Sequence, residues 1–559
     1  MNRPQEDFPT RQYPYRRESA NGSESALEST SVIPAQGLTA GSIYRFVLGI
    51  DQQPRPMTSD EVQKELNDAF AVLLLRTEIF PQTVRAILQS LDAINNDPTN
   101  GLPDQKSFLV ADGGQIHWSA ETAAVPRSFR FAISRSRNER TGILISTGTN
   151  FDSTSEFLQA LAWDTVNGVF NYYERRGGVW VWAGNSWHSL APPSRGKGPF
   201  DSHVNGSLVM KELKFPWTHW HSQSSAITDD VLPPNDPLRN EPLWRNKSGA
   251  EDFELSVVRP GIEQWTRTRI QASISDSSIG TLKDTQKLLR HLFESTTFNL
   301  IASASQSRSV TADGQVRLPM TFFFNSDVLL DLIELEPNIS VPQVSGDAYL
   351  HSLQTFDFHL QTVGFRQDGD THFAFLVPEF AFEDLAIISE LIQRKCLTPK
   401  FVASVLMIDF ANPVSSVRRA ALMKYVPPTA EFRQGQCDLE VVVVSNLEAE
   451  VASRLARNED VSKTPEQEFL NNWRLGDDWR EQFSMRIEAY MARVQERLLT
   501  QAGFNDYVRL AESRRREFRR RPLAEFDLTL PVTNIPVDAP ELQMLADGTV
   551  GPKLNEGET

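Results

Sequence analysis

The chain has 559 residues, a formal net charge of −16, nine histidines and two cysteines. Its length predicts about two to four compact units with ample core and no need of covalent staples. The acidic balance disfavours DNA and anionic membrane as partners, because phosphate binding is driven by Lys and Arg. Cys396 and Cys437 stand far apart in sequence without metal-type neighbours, so neither a disulfide framework nor a Cys-based metal centre is expected, and a reducing, cytoplasmic setting is predicted.

Residues 1–40 are polar and rich in Ser, Glu and Pro, which predicts a disordered arm in place of a secretory signal. No later apolar run is long enough for a membrane span. A first unit is expected over 41–250. In TSDEVQKELNDAFAVLLLR, Thr58 and Glu61 have capping-box spacing, and Val62, Leu66, Phe70, Leu73 and Leu74 share a helical face. A second helix follows Pro81, with Val84, Ile87, Leu88, Leu91 and Ile94 on one side. The period then shortens to that of strands, and SFLVADGGQIHW, FRFAISRSRNERTGILIST and VFNYYERRGGVWVWAG read as hairpins, the last turning at Gly177-Gly178. STSEFLQALAWD predicts a short helix capped by Ser153 or Ser155. From 189 to 250 the chain is loop-like but rich in His and Trp.

A mixed unit is expected over 251–460, with helices at 261–274, 282–303, FEDLAIISELIQRK and TPKFVASVLMIDF, the last capped by Thr398 before Pro399. EVVVVS reads as a buried strand. A charged helical subdomain over 461–521 and an extended tail over 522–559 complete the chain. The expected class is therefore α+β: N-terminal helices, an antiparallel hairpin-rich sheet, a mixed α/β segment and C-terminal amphipathic helices.

KFPWTHWHSQ carries the most suggestive chemistry. If it is extended, His219 and His221 fall on one face with Trp220 opposite, and Asp201 and His203 repeat the same spacing in PFDSHVNG. Three imidazoles and a carboxylate suit iron, copper or zinc, and the histidines alone could ligate haem. His188, His359 and His372 are then candidates for proton transfer or for orienting the ligands. Trp180, Trp182, Trp217 and Trp220 could enclose the cofactor and an apolar substrate. The competing expectation is an aromatic core with ordinary hydrogen-bonded histidines.

Two functions follow. One is a metal- or haem-dependent oxidoreductase of oxygenase, oxidase or peroxidase type, acting on an apolar or aromatic small molecule. The other is a non-catalytic interaction or assembly protein, a homo-oligomer organised by the seven arginines between Arg509 and Arg521 on a C-terminal helix. Carbohydrate binding is a third expectation and requires Trp180 and Trp182 to face solvent.

Overall fold

A computed structural model describes residues 41–76, 78–99, 101–112, 116–125, 127–138, 140–208, 219–223, 226–274, 280–301, 310–362, 364–368, 375, 377–519 and 532–553. Its class is α+β. The centre of the N-terminal half is an antiparallel meander: β3 (Asp104–Asp112), β4 (Ser128–Arg137), β5 (Arg140–Thr147), β6 (Leu158–Asp164), β7 (Val169–Arg176) and β8 (Val179–Asn185). β1 (Ile43–Arg45) lies parallel to β8 and carries β2 (Arg55–Pro56) outside it, while β9 (Lys247–Ser248) lies parallel to β3 at the other edge. The β4–β5 and β7–β8 hairpins form as their sequences predict. Gly177 and Gly178 turn the second with φ of 54° and 84°, a conformation that costs a side chain least at glycine.

Helices α1 (Ser59–Glu65), α2 (Ala69–Arg76) and α3 (Val84–Ala93) precede the meander. The capping box at Thr58 and Glu61 is present, but the expected single helix is two. Asp68 makes the break. Its Oδ1 accepts the Phe70 and Ala71 N–H groups at 3.0 and 2.9 Å, starting α2 as a cap, while Oδ2 accepts from Tyr173 Oη at 2.6 Å and Asn171 Nδ2 at 2.8 Å on the sheet. Trp180 and Trp182 do share a face, yet both have 0% exposure: Phe70 of α2 meets Trp180 edge-on at 4.9 Å, and Trp182 donates to Asn171 Oδ1 at 2.9 Å. The solvent-facing tryptophans that carbohydrate binding requires are absent from these positions. The segment expected as a helix after Ser153 is β6 instead; Ser153 Oγ caps only a turn, accepting from the Ser155 and Glu156 N–H groups.

Short helices α4 (Ser186–Leu190), α5 (Pro242–Arg245) and α6 (Ala250–Phe253) lead into α7 (Arg259–Ser273) and α8 (Thr285–Phe293). Then come α9 (Gly346–Thr355), α10 (Phe382–Gln393), α11 (Pro399–Leu406), α12 (Val417–Ala420), α13 (Leu439–Ala456), α14 (Pro465–Trp473), α15 (Trp479–Leu498) and α16 (Gln501–Arg519). The helix expected over 282–303 stops at Phe293, and Phe298–Ile301 is a strand paired with Val377–Phe380. EVVVVS is helical, the opening of α13. Leu439, Val443, Leu447 and Val451 recur every four residues and are buried, so the period over the longer window prevails over local β-propensity. The tail forms a hairpin, Leu542–Met544 with Val550–Pro552, whose Met544 is buried.

Among the described residues two large apolar cores result, one under the meander and one among α8 to α16, beside a small cluster of Tyr44, Phe46, Val179 and Val181; α10 touches both large cores, with Phe382 in the first and Ile387, Ile388 and Leu391 in the second. Among the described residues, no helix is long and apolar enough to cross a membrane. Replacing Asp68 by Ala removes the α2 cap and takes the acceptor from the Tyr173 hydroxyl, while Asn171 Nδ2 keeps only the Glu65 carbonyl. The expected cost is about 2–3 kcal/mol in urea unfolding, with Asp68→Asn losing less.

Candidate functional site

The histidine stretch is extended where it is described. Ala111 N–H donates to His219 O at 2.7 Å and His221 N–H to Leu109 O at 2.9 Å, so Trp220 sits opposite Val110 and continues the β9 edge along β3. His219 and His221 flank Trp220 as the period of two requires, and Trp220 stacks on Phe253 at 5.0 Å. His221 Nδ1 accepts the Ile227 N–H at 3.0 Å and so holds a loop.

His203 lies elsewhere, its ring 5.4 Å from that of Tyr172 on β7. Four strand spacings separate β7 from β3, about 19 Å at the usual spacing. Asp201 ends a short 3-10 turn beside His203. His188 belongs to the capping box of α4, with Nδ1 2.8 Å from Asn185 Oδ1, and meets Trp182 edge-on at 5.4 Å. His359 Nδ1 is 2.6 Å from Asp357 O and Nε2 3.1 Å from the Gln361 amide oxygen, on a hairpin in the helical half. His372 and Trp217 lie outside the described residues. Among the described residues, no group of three or more His, Cys, Asp or Glu could hold a metal ion. The convergence of His203 with His219 and His221 is therefore not formed, and Trp180, Trp182 and Trp220 are packed against the protein's own side chains.

The arginine-rich helix is present as α16, but its central arginines turn inward. Arg514 donates to the Phe322 and Ala411 carbonyls, Arg516 to those of Pro536, Val537 and Ala539, and Arg515 pairs with Glu512. Arg515 and Arg516 are buried, at 2% and 7% exposure. Burial pushes Arg514 down to about 10. The cationic surface expected for assembly is thus spent, at these three positions, on internal carbonyl groups and on the Glu512 carboxylate.

A different polar centre lies between the two cores. His291 of α8 places Nδ1 2.6 Å from Asp384 Oδ1 of α10 and Nε2 3.0 Å from Arg269 Nη1 of α7. A guanidinium only donates, so Nε2 is the acceptor and Nδ1–H donates to the carboxylate. Thr296 Oγ1 also donates to Asp384 Oδ1 at 2.8 Å and accepts from Asn205 Nδ2 at 3.0 Å, and the Asn205 carbonyl accepts from Trp265 Nε1 at 2.6 Å. Asp384, His291 and Arg269 are 0%, 1% and 5% exposed. Burial pushes Arg269 down to about 10 and, aided by Arg269 and opposed by Asp384, lowers His291. Both imidazole nitrogens are engaged, so His291 acts as a neutral bridge between opposite charges. Its sequence signal is a charged or polar residue on an apolar stripe: Arg269 beside Trp265, Thr266 and Ile270, His291 beside Leu288 and Leu292.

That centre fixes the rotation of α10 about its axis. Asp384 points to α8, which leaves Phe382, Leu385, Ser389 and Gln393 toward α7, where an open cleft of about 520 Å³ runs between the helices. Ile262, Leu332, Phe382 and Leu385 supply its apolar lining. Four carboxylates border it, Glu263, Asp327, Asp331 and Glu390, against two guanidinium groups, Arg259 and Arg267. Arg267 is paired with Glu263 at 3.2 Å, and Arg259 lies over the Phe382 ring at 4.9 Å.

No protein-family model matches the chain, and no curated protein or solved structure matches it either.

Two measurements probe this region. Asp384→Ala leaves the Arg269 charge buried without its carboxylate and is expected to cost about 3–5 kcal/mol in urea unfolding. Asp384→Asn, which keeps an acceptor for Nδ1–H, should cost less. Separately, burial first and Lys247 second push His221 down from 6.5 to about 4. The native state therefore binds fewer protons than the unfolded chain, and this contribution is complete above 6.5 and lost as pH falls toward 4. In His221→Gln, unfolding free energy should decline less over that interval than in the wild type.

Proposed function

We propose that the protein is an interaction protein whose working surface is the α7–α10 cleft and whose partner presents a cationic, amphipathic segment. The cleft carries this reading. Its volume of about 520 Å³ admits a few apolar anchor side chains. Its apolar floor rewards their burial, and its excess of carboxylates in a chain of net charge −16 favours a positively charged approach. Both helices are pinned from behind by the Arg269–His291–Asp384 bridge, so the walls are set before a partner arrives. A metal- or haem-dependent oxidoreductase centred on His203, His219 and His221 draws no support from the positions of those side chains.

The test is fluorescence anisotropy with a labelled amphipathic peptide bearing a leucine face and a lysine face, compared with its leucine–glutamate counterpart. The lysine peptide is expected to bind and the glutamate peptide not to. Reversing two rim charges in Asp331→Lys/Glu390→Lys should weaken the lysine peptide about tenfold. Equal binding of both peptides, or no change on reversal, would overturn the proposal.

A further inference from the structure

The only two cysteines of the chain, distant in sequence, meet in the fold. Cys396 follows the C-terminal end of α10, and Cys437 ends the short hairpin formed by Thr429–Arg433 and Gln436–Cys437, just before α13. Backbone contacts bring the two segments side by side. Cys437 N–H donates to Lys395 O at 3.5 Å, and three residues further along each segment the Thr398 hydroxyl donates to Glu440 Oε2 at 3.2 Å, with the Thr398 N–H also on that carboxylate. Between these ties the two thiols are neighbours, and the Cys396 thiol donates to the Arg394 carbonyl at 3.9 Å. Cys396 is 1% exposed, whereas Cys437 is half-buried at the hairpin.

We propose that Cys437 and Cys396 form a thiol–disulfide exchange site, with Cys437 as the attacking sulfur and Cys396 as the resolving one, whose substrates are small disulfides. The roles follow from access and from hydrogen bonding. Only Cys437 reaches the surface. The neighbouring Cys396 first, and the Leu439 N–H, favour the Cys437 thiolate against burial and against the nearby Asp438 and Glu440 carboxylates, so its acidity is raised. Cys396 is held as a thiol by the neighbouring Cys437 and by burial.

The chemistry balances with one disulfide, RSSR. The Cys437 thiolate attacks one sulfur of RSSR, forming a mixed disulfide and expelling RS⁻. Cys396 loses its proton to solvent and attacks the Cys437 sulfur, expelling the second RS⁻ and closing the Cys396–Cys437 bond. The two protein thiols lose two electrons and two protons in all; RSSR gains both electrons and becomes two RSH. The product ties the end of α10 to the start of α13.

The experiment uses the full chain, incubated folded with oxidised glutathione. Thiols are then counted after denaturation by alkylation, and disulfides are located by peptide mass mapping. In the wild type both thiols should disappear together, giving one intrachain disulfide between Cys396 and Cys437, and the oxidised protein should melt at a higher temperature than the reduced one. Cys396→Ser should stop at a glutathione adduct on Cys437, and Cys437→Ser should leave Cys396 unmodified. Cys396→Ala serves if the serine variant does not fold. A wild type that keeps both thiols, forms disulfides only between chains, or accumulates the glutathione adduct without closing the bond would overturn the proposal. So would modification of Cys396 in Cys437→Ser at the wild-type rate.

Discussion

Arg269, His291 and Asp384 place a cation, a neutral imidazole and a carboxylate in line where almost no surface is exposed. Such a series is expensive to desolvate and is tolerable because His291 bonds directionally to both charges, although Asp384 Oδ2 has no hydrogen-bond partner among the described residues. Three helices contribute one member each, and Thr296 and Asn205 extend the chain of bonds to the loop that follows the meander. The relative placement of α7, α8 and α10 is thereby specified by bond geometry as well as by apolar packing, which tolerates small rotations more readily. The cleft follows from this constraint, since the faces that α7 and α10 turn toward each other are those left over once Arg269 and Asp384 are committed.

Elsewhere arginine performs a related task. Arg135 binds the Leu102 carbonyl together with Asp92, Asn95 and Gln105; Arg419 collects the carbonyls of Ile408, Asn412 and Pro413; Arg514 and Arg516 do the same for segments far along the chain. These carbonyls belong mostly to irregular backbone, which has no ladder to satisfy it. A planar fork with five donors can serve several such groups at once, whereas an ammonium serves them less selectively. An arginine-rich helix in an acidic chain is thus compatible with an internal clamp as well as with an external patch.

Much of the fold was legible from local chemistry. Capping residues at Thr58 and Thr398 act on their own helices, and paired glycines at 177 and 178 fix a hairpin without distant help. Misreadings fell where partners outside the window decide. LQALAWD is a strand because β5 and β7 flank it, and the chain breaks at Asp68 because Tyr173 and Asn171, on a strand far away in sequence, engage the same carboxylate that caps α2. In α13 a run of valines suggested a strand, but the decisive apolar period extends to Val451, beyond that run.

For the candidate sites the division is sharper. The sequence by itself determined the α+β class, most of the helices, two of the three expected hairpins and the extended conformation that sets His219 and His221 on either side of Trp220, because spacing along one strand is a local property. It could not determine whether His203 meets them, and strand order sets it against β7 while their segment pairs alongside β3. Only the tertiary structure brought Arg269 to His291 and Asp384, opened the α7–α10 cleft and set the segments of Cys396 and Cys437 side by side. Each of those meetings is a distance between segments remote in sequence, and such distances are set by the packing of whole elements, to which composition and periodicity along one segment are blind.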